Sequence, residues 1–222
     1  MQRRSNREFV MILERIMKLR KTKAVRIGAL LVVGAILAGC VNSSSAANMK
    51  HGSISISNLQ STINAIVAER IETNTMPENG LTGENLVRAQ LRLKIISFLL
   101  HRGASEKGIV INPAEVAANR EQIITQIGGE AALPAALANA SIAASDLDRY
   151  IEDIIIQDSL RAKLVAPTAS DQDFSMALQN YVSEIGAREN VKLNPRYGVW
   201  VTATSDINPV DATNGAVADP AN

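Results

Sequence analysis

The chain has one cysteine, Cys40, so no disulfide can close within it. It has two histidines, His51 and His101, too few for a histidine-rich metal site, and both read as surface residues. No Gly-x-Ser-x-Gly elbow occurs, which argues against a hydrolase. No P-loop and no paired-glycine dinucleotide motif is present, and Gly128-Gly129 reads as a turn between helices. The acidic group Glu152, Asp153 and Asp158 reads as a solvated helix face rather than a calcium site. No enzyme activity, cofactor, metal or nucleotide is expected from these residues.

A long hydrophobic run is missing too. The leading apolar stretch, Ile27 to Ala38, is twelve residues, against about twenty for a helix that stays across a bilayer. It follows a basic segment, Met17 to Arg26, and precedes small residues and Cys40. That order is a signal peptide over residues 1–39, with the start at Met1, Met11 or Met17. The formal charge of +1 hides a division at this point. Residues 1–39 hold nine Lys or Arg and two Asp or Glu, a charge of +7; residues 40–222 hold fourteen and twenty, a charge of −6. An acidic body lacks the clustered cations that nucleic acid or a polybasic membrane contact requires, so no nucleic-acid partner is expected.

Leu37-Ala38-Gly39-Cys40 resembles the bacterial lipobox. The resemblance implies a lipid on the Cys40 sulfur, cleavage before it, and a domain held on the outer face of the cell membrane. Two acyl chains make a stable anchor, because each buried methylene contributes about 0.8 kcal/mol. Residues 40–48 are expected to be the lipidated cysteine and a small, polar, flexible tether.

Behind the tether, helical periodicity dominates, and about six helices are expected in an all-α domain over residues 49–203. Ile54 and Ile56 alternate with serines as in a short strand. Ser57 with Gln60 has the spacing of a capping box for a first helix to about Thr73. Leu86, Ala89, Leu93, Ile96 and Leu100 mark a second helix that Gly103 is expected to stop. Asn112-Pro113-Ala114-Glu115 starts a third, ending at Gly128-Gly129. A short alanine-rich helix covers Glu130 to Ala138, with Pro134 in its first turn. Ser145 with Asp148 is expected to cap a fifth helix that ends before Pro167. Ser170 with Asp173 caps a sixth, running to Gly186. Val199-Trp200-Val201 reads as a strand that pairs with the one at Ile54, joining the terminal segments, and residues 204–222 read as a disordered tail.

The run Asn48 to Leu59 resembles the opening of the SurA N-terminal chaperone domain, with His51 where that family usually has Asn and Met49 for a branched residue. Together with the lipobox, Gly128-Gly129-Glu130-Ala131-Ala132-Leu133-Pro134-Ala135-Ala136-Leu137 and Asn194-Pro195-Arg196-Tyr197-Gly198-Val199-Trp200, the chain looks like the SurA-like lipoproteins of actinobacteria. The resemblance implies the helical fold of the SurA and trigger-factor peptide-binding regions, and binding of unfolded or exported polypeptides. The parvulin-type prolyl isomerase domain of some relatives has no room between the helices here.

Ile154-Ile155-Ile156 cannot all face one side of a helix. Either the fifth helix is buried on two sides, against the other helices and the segment around Trp200, or it leaves an exposed apolar groove. In the second case Leu93, Ile96, Leu100, Ile151, Ile154 and Ile155 are the candidate peptide-binding residues. The functional expectation is a membrane-anchored, chaperone-like polypeptide-binding protein; the alternative is an adaptor lipoprotein with one dedicated envelope partner.

Overall fold

The computed structural model describes residues 44–77 and 81–209. The expected signal peptide, the lipobox-like run with Cys40, and the end of the expected tail from residue 210 lie outside them. Among the described residues the fold is helical with short strands: β1 (Ser45–Met49), β2 (Gly52–Ser55), α1 (Ile56–Glu72), α2 (Gly83–Glu106), α3 (Pro113–Ile127), α4 (Leu133–Ala140), α5 (Leu147–Leu164), α6 (Asp171–Glu189), β3 (Lys192–Leu193), β4 (Val199–Val201) and β5 (Asp206–Asn208). No described helix is long and apolar enough to cross a membrane.

Ser45 to Asn48, expected to belong to a flexible tether, are folded. Ser45 to Met49 form the central strand of a three-stranded sheet in the order β2-β1-β3, and Ala46 and Ala47 are fully buried. A register shift between Ser45 and Ala47 leaves Ala46 as the extra residue of a bulge, and both alanines turn inward. Small side chains have little strand propensity of their own. Here they let α2 pack closely on β1.

Pairing of the terminal segments occurs, but through a different strand. Leu193 of β3, not Trp200, pairs with β1 at Ala47. β4 instead pairs with β5, Trp200 opposite Ile207, so Asp206–Asn208 are a strand and not part of a tail. This hairpin lies on α2 and α6. Arg92 donates to the Ser205 carbonyl at 2.8 Å, and the Ser183 hydroxyl donates to the Thr202 carbonyl at 2.8 Å.

Helix ends follow local chemistry with three exceptions. Asn112 caps α3 by accepting from the Ala114 N–H, with Pro113 at the first position, and Gly128 ends it in the left-handed region at φ 103°. Both halves of the Ser170 and Asp173 capping box form. The cap of α1, however, is Ser55, whose hydroxyl accepts from the Asn58 N–H, so Ser57 lies within the helix. The Ser145 cap is absent; Ala144–Asp146 form a tight 3-10 turn that leads directly into α5.

The third exception is that Gly103 and Gly186 stop nothing. α2 runs on to Glu106 and α6 to Glu189. A Cβ on Gly103 would lie 2.6 Å from the Ile185 side chain and 2.7 Å from the Tyr181 ring, so glycine here permits close approach of α2 and α6. The Tyr181 hydroxyl completes the contact by donating to the Gly103 carbonyl at 2.9 Å.

Two apolar cores result, and α5 divides them. Ile156 and Leu160 belong to the first, with β1, β2, α1, α2, α6, Trp200 and Ile207. Ile151 and Ile155, with Ile154 partly buried, belong to the second, with α3, α4 and Ile142. The triple isoleucine is therefore buried on two sides, each fully buried isoleucine contributing about 1.5–3 kcal/mol.

Candidate functional site

The six aliphatic candidates do not form one surface. Ile96 and Leu100 are buried in the first core and Ile151 and Ile155 in the second. Ile154 packs partly buried against the second core. These residues fill the interior because α5 is covered on both flanks, which the local sequence cannot reveal. Leu93 alone of the six lines an open cavity.

That cavity measures about 470 Å³ and lies between β2, the start of α1, the middle of α2 and the start of α5. Its apolar wall includes Ile54, Leu93, Phe98 and Ile142. β2 is an edge strand: its inner side pairs with β1, and no further strand lies on its outer side among the described residues. Ser53, Ile54 and Ser55 of this strand line the cavity. Phe98 is seated against the strand, where a Cβ on Gly52 would lie 2.7 Å from its ring.

The polar wall is a linked set of hydrogen bonds and ion pairs. Lys94 donates to Asp146 at 2.9 Å, and the Thr62 hydroxyl donates to the same carboxylate oxygen at 3.0 Å. The Ser97 hydroxyl donates to Asp153 at 3.0 Å and accepts from Arg149 Nε at 2.9 Å. Arg149 also reaches Glu152 at 3.4 Å. Gln90 donates to the Ser141 carbonyl at 2.9 Å. The lining cations, Lys94 and Arg149, and the lining acids, Asp146 and Asp153, balance in number, so the cavity carries no net charge.

Tyr150 supplies the uncommitted group. It lines the cavity, is buried, and its hydroxyl has no hydrogen-bond partner among the described residues. Burial first, and the Asp153 carboxylate second, push its phenol well above the ordinary value, so it remains a protonated donor.

Two surface expectations need correction. Asp153 is buried rather than solvated, because it faces Ser97 across the contact between α2 and α5. His101 is drawn inward beside it, its Nε2 lying 3.2 Å from the Asp153 carboxylate. The contact is not aligned as a hydrogen bond and acts as an ion pair when the ring is protonated. Among the described residues, no three His, Cys, Asp or Glu side chains group to hold a metal ion.

Of the six expected residues only Leu93 lies on this cavity, whose other lining residues come from separate segments with no shared local pattern. The serine alternation at Ser53 and Ser55 was the one readable signal, marking a strand with a polar side. Compared with known proteins, the chain matches no family model, no curated protein and no solved structure.

Proposed function

We propose that this chain is a lipid-anchored, extracytoplasmic polypeptide-binding protein of chaperone type, held to the membrane through Cys40 and acting without prolyl isomerase catalysis. The observation that carries the reading is the cavity beside the outer edge of β2. An exposed strand edge offers backbone donors and acceptors to an extended segment, and an adjacent cavity takes one of its side chains. In this case an aliphatic side chain would rest against Ile54, Leu93, Phe98 and Ile142. The charges of the wall already pair with one another, so an uncharged peptide segment meets no net charge there.

This is a narrower binding mode than a broad aliphatic groove, since four of the six residues that would form such a groove are buried. The resemblance to SurA N-terminal domains points the same way, toward binding of exported or unfolded chains. The test is aggregation of an unfolding client with and without the protein, repeated with Leu93→Asp. Suppression by the parent chain that is lost in the variant supports the reading; no suppression by the parent overturns it.

The internally paired Lys94 and Asp146 favour a second reading, an adaptor for one envelope partner, because a fixed polar wall selects one shape. Crosslinking from the cavity mouth in the native envelope separates the two. One stoichiometric product indicates an adaptor, and many products indicate a chaperone.

A further inference from the structure

The distance between Cys40 and the folded domain has a physical consequence. Only residues 41–43 separate Cys40 from Ser44, the first described residue. Ser44 is already fixed, its carbonyl accepting from the Ile56 N–H at 2.8 Å. Four residue steps reach at most about 14 Å when fully extended. A domain of some 160 residues has a radius of gyration of about 15 Å, so the link is no longer than the domain's own radius. Such a domain cannot turn freely above its anchor.

The Ser44 end of the domain is chemically distinct. Ser45 pairs with Ser55, which leads into α1, where Ser57, Asn58, Gln60, Ser61 and Asn64 are exposed. From the other side Asn194 donates its N–H to the Ala46 carbonyl at 2.9 Å, and the turn Pro195–Tyr197 follows with Arg196 exposed. Residues 41–68 and 191–205 contain no Asp or Glu, although the chain from Cys40 onward carries −6. Glu69 and Glu72 appear only at the far end of α1, where Ile71 is also exposed. Asp146 and Asp206, on neighbouring elements, are paired with Lys94 and Arg92.

We infer that this end, formed by the first turns of α1 and the Pro195–Tyr197 turn, rests on the bilayer that holds the Cys40 lipid, with α1 directed away from it. Uncharged serine and asparagine side chains with one arginine meet lipid headgroups without repulsion, while the acidic end of α1 is turned from an anionic surface. Ser53, Ser55 and Asn58 line the cavity as well, so its mouth opens within reach of the headgroups. A segment bound there is one lying at the membrane surface. The inference rests on the lipid anchor in the proposed function and adds the orientation.

The experiment uses the full lipidated chain in vesicles of phosphatidylglycerol and phosphatidylethanolamine carrying a headgroup-attached quencher. A fluorophore is placed through Ser57→Cys or Arg196→Cys near the proposed contact, and through Glu72→Cys or Glu121→Cys away from it. Ser57 and Glu72 are about 22 Å apart along the helix axis. Loss of fluorescence at Ser57 and Arg196, with little loss at Glu72 and Glu121, is the expected result. Equal loss at all four positions, or the reverse order, overturns the orientation while leaving the anchor intact. A mature N-terminal peptide without a diacylglycerol mass on Cys40 overturns the anchor and this inference together. Unchanged thermal unfolding of each variant excludes a folding defect as the cause.

Discussion

The Glu189 carboxylate at the end of α6 meets both the backbone N–H and the ring of His51, at 3.1 Å and 2.9 Å, closing the β1–β2 hairpin onto a helix 138 residues away. Arg102 donates to the same carboxylate at 3.1 Å, and the Lys50 N–H donates to the Glu189 carbonyl at 2.7 Å. Burial alone would push this carboxyl up. The hydrogen bonds from the His51 ring and backbone and from Arg102, with the His51 charge, outweigh that effect and hold it below the usual carboxylate range.

A carboxyl held lower in the folded chain than in the unfolded one adds stability above its ordinary range, and that stability is lost as pH falls through the folded value. Urea unfolding between pH 7 and pH 3 should therefore show a loss below about pH 4.5. Glu189→Gln should remove part of this acid sensitivity and cost about 1–3 kcal/mol at pH 7.

Arg70 should resist conservative replacement. It is buried near the end of α1 and donates from three nitrogens, to the Ala138 carbonyl at 3.3 Å, the Leu81 carbonyl at 2.8 Å and the Ser141 hydroxyl at 2.6 Å. Lysine cannot reproduce that fork. Chemical denaturation of Arg70→Lys should show a loss of about 2–3 kcal/mol, and Arg70→Ala a larger one.

Gly103→Ala should destabilise by about 1–3 kcal/mol, because the added methyl overlaps Ile185 and Tyr181. Gly108→Ala provides the contrast. It meets no atom but sits at φ 64°, so its cost is backbone strain alone, about 1 kcal/mol. Thermal unfolding of the two variants separates packing from conformation.

Leu93→Asp should abolish peptide crosslinking at the cavity while lowering stability far less than Leu99→Asp, since Leu93 is only half-buried and Leu99 is fully buried. Photocrosslinking to an extended aliphatic peptide, read beside the unfolding curve, distinguishes a lost site from a lost fold.

Cys40→Ser should release the chain from the membrane fraction. Fractionation with metabolic fatty-acid labelling checks it; a variant that stays in the membrane fraction would leave the apolar run Ile27 to Ala38 as the anchor instead.

The helices were legible because their signals are local. Asn112-Pro113 and the Ser170 and Asp173 pair act within one turn, and apolar stripes recur every three or four residues. Local signals mislead where distant contacts decide. Gly103 and Gly186 carry the usual mark of a helix end, but both lie mid-helix, and at Gly103 the side chains of Ile185 and Tyr181 require a small residue. Alternating Ser53, Ser55 and Ser57 offer three caps of equal chemistry, and only the hairpin selects Ser55. Ala46 and Ala47 give no strand signal, yet they become the sheet's centre because both neighbours are supplied from elsewhere. The cavity was illegible for the same reason, apart from Leu93.

β1 therefore imposes an order on maturation. If the chain is exported as proposed, the N-terminal strand would cross first and could pair at once with β2. Its other edge waits for Leu193 and Asn194, the latter binding Ser45 from 149 residues further along the chain. Until that late segment arrives, the edge of β1 stays open close behind Cys40, the proposed lipid site, and non-local closure of this kind is slow. The proposed chaperone would thus pass through a stage in which it exposes an unpaired strand beside the bilayer, the same kind of surface it is proposed to shelter in others.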